Sequence, residues 1–530
     1  MSFSNVSSFD LLSTLQSFAD VKEDWLRYTL SGAFGIMGIF VLSKAWSPKS
    51  SISKLAGPTP ASAIWGSIPE LFDPENGLEL QDKLMSAYGS VCRVKGLFGA
   101  DELWISDPRA LQDILIKGHD EFREPNWYTT DLTTQTSTMS TIAHNLVDII
   151  TSQIQANGTN IEVVDIFKWV NLVALEIIGQ AGMGHSFGVL EGKIPDYLGA
   201  SRDMFPLMME MWYLQPFLPA MSRIGPPSLR RFVVEHLTHR PVQAMKNVVD
   251  TMNKTAVEIM RRKRAALENG TLDSEVASGQ DIMTPLLRQN RVVVPNDQMT
   301  DEKILAQVNG LAFAGHDTTS SALSRTISVL SDHQEIQDIL RSEIREAYRL
   351  HGKNLNYDQL NSLSYSDAVC RETLRLYAPA TFVNRVATKD WTVPLQYPAR
   401  SEDGKITISS IHIPKGTDIR ISLRAANRDK QPWGNDAEEF RPSRWLEPLP
   451  KSVTDSRIPG IFSSTGMKFS QLEMKSILST LLSSFKFEPS KDKIKWKNDG
   501  IVKPYIQHQD GTTSKVSTMP VQVTILGESE

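Results

Sequence analysis

Between Thr300 and Leu330 the apolar residues Ile304, Leu305, Val308, Leu311, Ala312, Ala322, Leu323, Thr326, Ile327 and Leu330 recur at helical spacing, and the run is interrupted at its centre by Phe313-Ala314-Gly315-His316-Asp317-Thr318-Thr319-Ser320. This pattern constrains the chain more than any other. Thr300 suits an N-cap, with Asp301 and Glu302 in the positive first turn. The interruption is poor helix design, because Gly, Asp and Thr all lower helix propensity. A small-residue pair followed by Asp-Thr-Thr predicts a loosened backbone that a ligand can approach, with a hydroxyl beside it. A buried helix with a glycine packing notch is the plain alternative.

Two cysteines in 530 residues, Cys92 and Cys370, exclude a disulfide framework and a Cys-rich metal site. A net charge of -5 argues against a nucleic-acid binder. Tyr28 to Leu42 forms a short uncharged span flanked by Arg27 and Lys44, with Trp25 and Trp46 placed like interfacial anchors. The expected division is a lumenal segment 1–27, a transmembrane anchor 28–44, a linker and proline hinge 45–60 and a domain 61–530. The lysines after the span place the bulk of the chain in the cytosol, and Asn5 becomes a lumenal glycosylation sequon.

Val91 to Val94 and Leu103 to Ser106 read as strands around the turn Gly96 to Asp101. Ile161 to Ala181 reads as one helix, strand signals return between Val386 and Ile421, and a final helix runs from about Lys468 to Phe485. The expected fold class is mainly α with small β-sheets at one side. Glu372 and Arg375 meet on one helix face, three apart. The Arg-, Asp- and Trp-dense stretch from Asn427 through Trp433, Asp436 and Phe440-Arg441-Pro442-Ser443-Arg444-Trp445 can close a buried ionic network with them.

With these three segments in this order, the chain resembles the cytochrome P-450 family of haem-thiolate monooxygenases, fungal membrane-anchored members in particular. The resemblance implies the cytochrome P-450 fold as a single large domain and a haem cofactor. It also implies insertion of one O2 oxygen into an apolar small molecule of secondary metabolism, terpenoid or polyketide. Electrons would come from NADPH only through a partner flavoprotein reductase, at the endoplasmic reticulum membrane. Asp317 and Thr318 would deliver protons, Ala314 and Gly315 would line the oxygen groove, Arg385 would meet a haem propionate, and Glu372, Arg375 and Arg444 would lock the core.

Two departures fall on haem contacts. The family's iron-ligating cysteine precedes a helix resembling Gly466 to Lys475; here the ligand position falls on Ser464, whose neutral hydroxyl is a poor iron ligand. The family's Trp- and Arg-bearing haem-contact helix is replaced by the Thr-, Ser- and Gln-rich segment Thr129 to Thr141, which reads as a flexible loop. Two skipped coding segments explain both losses; the alternative is a decayed or repurposed enzyme, a haem-free membrane-tethered binding protein. Cys92 and Cys370 read as packed small hydrophobes, His316 as a packing or hydrogen-bonding residue, and the cluster Arg261 to Arg264 as a solvated face. Gly184-His185-Ser186-Phe187-Gly188 matches a nucleophile elbow, and a serine hydrolase at Ser186 is the minor alternative.

Overall fold

The computed structural model describes residues 51–115, 135–271, 281–292, 298–455 and 467–527. The expected anchor 28–44, Asn5, Ser464 and the first part of the Thr129 to Thr141 segment lie outside the described residues. Among the described residues no helix is long and apolar enough to cross a membrane.

The helices that position the site are α1 (Gly77–Tyr88), α2 (Thr136–Ala156), α3 (Ile166–Ile177), α4 (Asp196–Glu210), α5 (Arg240–Asn269), α6 (Asp301–Asp332), α7 (Gln334–His351), α8 (Ser364–Leu376), α9 (Leu423–Arg428) and α10 (Met467–Ser484). The strands are β1 (Val91–Lys95), β2 (Asp101–Ile105), β3 (Ile161–Asp165), β4 (Phe382–Val386), β5 (Trp391–Arg400), β6 (Thr407–Ile413), β7 (Asp418–Ser422), β8 (Phe485–Pro489), β9 (Lys493–Asn498), β10 (Val502–Gln507) and β11 (Pro520–Ile525).

The sheets are small and lie beside the helical body. One has the order β1-β2-β7-β4, with β2 and β7 parallel and the other pairs antiparallel. The other three are β3-β11-β8 and the antiparallel pairs β5-β6 and β9-β10. The main core is shared by α2, α3, α6, α7, α8 and α10, through residues such as Leu146, Val173, Leu323, Leu340, Val369 and Leu478. This mainly helical body of one large domain, with peripheral sheets, is the fold class the sequence pattern predicts.

The hinge residues Ala56 and Gly57 sit tightly on β1. Arg93 N donates to Ala56 O at 3.0 Å, and a Cβ on Gly57 would lie 1.9 Å from Arg93 O, so only glycine lets the chain pass there.

Helix α6 is continuous through the interrupted segment, so the expected loosening does not occur. Its start is as expected, with the Thr300 side chain accepting from Lys303 N. The glycine notch is what the structure uses. Gly315 packs against Ile178 so closely that a Cβ would lie 2.8 Å from Ile178 Cδ1.

Three local expectations are corrected. Residues 161–181 are not one helix: Ile161–Asp165 is β3, paired with β11, and α3 begins where the Asp165 carboxylate caps Lys168 N at 3.2 Å. The segment expected to be a loop is helical from Thr136 onward, because the buried residues Met139, Ile142, Leu146, Ile150 and Ile154 pull that stretch into the core. The basic cluster is not a solvated face throughout, because Lys263 is fully buried and pairs with buried Asp281 at 2.7 Å.

Candidate functional site

Helix α6 carries two different faces past its centre. Ala314 is exposed and Thr318 half-buried one turn later, and the Thr318 hydroxyl donates to Ala314 O at 2.6 Å. That bond satisfies the hydroxyl within the helix while leaving it on the open side.

Asp317 points inward and is 1% exposed. Lys503, on β10 and 2% exposed, brings Nζ to 2.7 Å from Asp317 Oδ2. The approach is charge to charge, since neither carboxylate oxygen gains a well-directed hydrogen bond. His316 is fully buried, with Nδ1 3.2 Å from Ser201 Oγ and Nε2 3.1 Å from Asn171 O. Burial pulls its pKa below the ordinary value, so it is a neutral packing residue, as expected.

The expected ionic lock is present. Arg375 donates from Nε and Nη2 to both Glu372 oxygens at 2.8 Å, and from Nη1 to Asn427 O at 2.7 Å and Ala437 O at 2.6 Å. Arg444 Nε, Arg441 N and Trp445 Nε1 also donate to Glu372, at 3.3, 3.1 and 2.9 Å. Burial alone would raise the Glu372 carboxyl, but the bonds and charge of Arg375, with Arg441 N and Arg444, outweigh it and hold the pKa below its ordinary value. The lock joins α8 to α9 and the loop after it, and its charges are tolerated at this depth because each is paired.

Arg385 is exposed on β4, with Nη1 donating to the Asn384 carbonyl at 2.8 Å. Ser186 does not form a nucleophile elbow. Its segment follows α3 and a π-helical turn (Ile178–Gly182) rather than a strand, and its hydroxyl donates to Glu176 Oε1 at 2.6 Å.

Sequence reasoning missed Lys503 and Glu473. Lys503 gives no local signal, because its partner lies on a distant helix. Glu473 does: it is an acid inside the apolar run Phe469, Leu472, Met474, Ile477, and it is fully buried with neither oxygen hydrogen-bonded. Burial raises its pKa well above the ordinary value, against a lesser lowering by Thr319.

Whether these residues fit a haem-thiolate centre turns on sulfur. The chain holds no cysteine beyond Cys92 and Cys370. Both are fully buried, one on β1 and one on α8, and burial pushes each thiol up to about 12. A thiol sealed in an apolar core is not accessible as an iron donor. Among the described residues no group of three or more His, Cys, Asp or Glu could hold a metal ion. The donor set does not suit the group.

Comparison with known proteins agrees with the framework. The Cytochrome P450 family model matches residues 128–509. Cytochrome P450 monooxygenase 91 of Postia placenta is 36% identical, over 86% of this chain and 92% of its own length. Cytochrome P450 monooxygenase 81 of the same fungus is 32% identical over 93% of this chain and 96% of its own. A ganoderic acid synthetase of Ganoderma lucidum is 33% identical over 89% and 93%. Together with the α6 motif and the Glu372 lock, these matches show that the chain belongs to the cytochrome P450 family, whose members are monooxygenases and thus oxidoreductases.

Proposed function

We propose that this domain is built for oxidation of an apolar small molecule of secondary metabolism, terpenoid or polyketide, and that the polypeptide as written is a form unable to ligate iron through sulfur. The Glu372-Arg375-Arg444 lock and the open Ala314 and Thr318 face support the first half. A relative whose name assigns it to ganoderic acid synthesis supports the metabolite class. In this reading the domain sits at the endoplasmic reticulum membrane and takes electrons from an NADPH-dependent flavoprotein reductase.

One observation carries the second half: a chain with only two cysteines, both sealed in the core, supplies no thiolate. No step of oxygen chemistry is therefore assigned to this polypeptide. Its own residues supply the scaffold: the Glu372 lock fixes α8, and Lys503 neutralises Asp317 inside α6. The same observation favours a second reading, a haem-free membrane-tethered binding protein for the same apolar ligand class.

The deciding experiment compares the purified, haem-supplemented chain with a variant carrying a Cys-containing loop inserted before Gly466. The chain should show no thiolate-type Soret absorbance, and the variant should acquire it together with reductase-dependent oxidation of terpenoid substrates. A thiolate-type spectrum from the unaltered chain refutes the haem-deficient reading. A loop variant that folds but takes up no haem refutes the monooxygenase reading.

A further inference from the structure

Two guanidinium groups without a carboxylate partner, Arg325 and Arg428, converge on Tyr377 just past α8, and the charge of a third, Arg424, acts on both. Arg325, on the second half of α6, lies over the Tyr377 ring at 3.9 Å and over the Trp496 ring of β9 at 4.4 Å. Arg428, the last residue of α9, lies 5.5 Å from the same Tyr377 centroid and spends Nε and Nη2 on the Leu376 carbonyl at 3.0 and 2.8 Å. Arg424, one turn earlier on α9, is held by both oxygens of Asp82 on α1, at 2.7 and 2.8 Å. Among the described residues neither Arg325 nor Arg428 forms an ion pair. Asp332 acts on Arg325 only at longer range, further along α6.

The arrangement is electrically incomplete. Aromatic rings attract a cation but offer its N–H groups no lone pair. Three half-buried guanidinium groups with one bound carboxylate leave excess positive charge where its desolvation is costly. Burial first, then the neighbouring arginines, bring both Arg325 and Arg428 down to about 10, although the Tyr377 hydroxyl supports Arg325 and Asp82 and Tyr377 support Arg428. A planar guanidinium is matched by two oxygens of one acid group, which would complete the set.

We propose that Arg325 and Arg428, with Tyr377 between them and Arg424 behind, form a binding site for a small oxyanion, the carboxylate or phosphate group of a metabolite. The site is built from α6, α8, α9 and β9 and owes nothing to iron, so it stands or falls separately from the proposed oxidation chemistry.

The test titrates the full chain with inorganic phosphate and, separately, with sodium acetate by isothermal calorimetry, at ionic strength held constant with sodium chloride. At least one should bind saturably, and the tighter one names the acid group. Arg325→Met and Arg428→Met, each keeping an apolar stem, should each weaken that binding at least tenfold. Arg349→Met, which removes an exposed pair with Glu346, should leave it unchanged. If either methionine variant does not fold, Arg428→Lys keeps the charge but loses the forked geometry and should weaken binding several-fold. Absence of saturable binding to the unaltered chain overturns the proposal, as does binding unchanged in the arginine variants.

Discussion

Lys503 Nζ lies 2.7 Å from Asp317 Oδ2, with both side chains out of solvent, so a strand near the end of the chain is bonded by charge to the middle of α6. Removing one partner strands the other. Lys503→Met should therefore destabilise the fold by about 3–5 kcal/mol, the usual cost of an uncompensated buried charge. The double variant Lys503→Met, Asp317→Leu should recover most of that loss, because an apolar pair of similar size needs no neutralisation. Urea denaturation of Lys503→Met, Asp317→Leu and the double variant measures the coupling. A double-variant loss equal to the sum of the two single losses would mean the pair carries no mutual energy.

The Glu372 carboxylate is the hub of five donors, from Arg375 Nε and Nη2, Arg441 N, Arg444 Nε and Trp445 Nε1. Glu372→Gln keeps the shape but removes the charge, leaving buried Arg375 without a carboxylate while Arg444 keeps only Asp436. A loss of about 3–5 kcal/mol is expected, enough to remove much of the net stability of an ordinary domain. Arg444→Lys should cost less, since Arg375 keeps its bidentate grip. Proteolysis of the soluble fraction orders these two variants, and a Glu372→Gln chain as resistant as the parent contradicts the network.

What could be read in advance follows from sequence distance. The strands flanking Gly96 to Asp101, the Thr300 cap and the final helix rest on neighbours, and each is present. Glu372, Arg375 and Arg444 were legible because their types and order match a family pattern. Residues 161–165 were misread because Ile161, Val163 and Val164 fit a helical as well as an alternating spacing, and what makes them a strand is β11, far away in sequence. Thr136 to Thr141 was misread because Thr and Ser favour loops locally, and the apolar stripe that follows overrides them. Lys263 reads as part of a solvated basic cluster and Lys503 gives no local signal, because only the fold brings Asp281 and Asp317 to them.

Glu473 sets a direction for the effect of pH. It lies inside α10 with neither oxygen in a well-directed hydrogen bond, and burial, against a lesser lowering by Thr319, raises its pKa well above the ordinary carboxyl value of 4.5. A raised carboxyl favours folding in its protonated form. That contribution is complete below pH 4.5 and is lost as pH climbs from there to the pKa of the folded state. Glu473→Gln, a neutral mimic, should match the parent in acid and exceed it near neutrality, by on the order of 1–3 kcal/mol for an orphaned buried group. Thermal midpoints collected across that range give the difference curve. A difference that does not change with pH would mean the carboxyl stays in one protonation state throughout.

The two thiols test the donor argument directly. Cys92 sits among Leu71, Leu84, Val94 and Trp104, and Cys370 in the main helical core; both are fully buried, with pKa values pushed up to about 12. Reaction with a disulfide reagent requires thiolate and access, and both are denied. Ellman's reagent at pH 8 should therefore count no thiols in the folded chain and both after unfolding in guanidinium. The unreacted chain should then take up haem no better after alkylation under native conditions than before it. A cysteine that reacts quickly in the folded protein, and whose blocking abolishes haem uptake, would show that one of these two sulfurs reaches an iron after all. The haem-deficient reading would then have to be abandoned, while the charge network around Glu372 would stand unchanged, since neither thiol takes part in it.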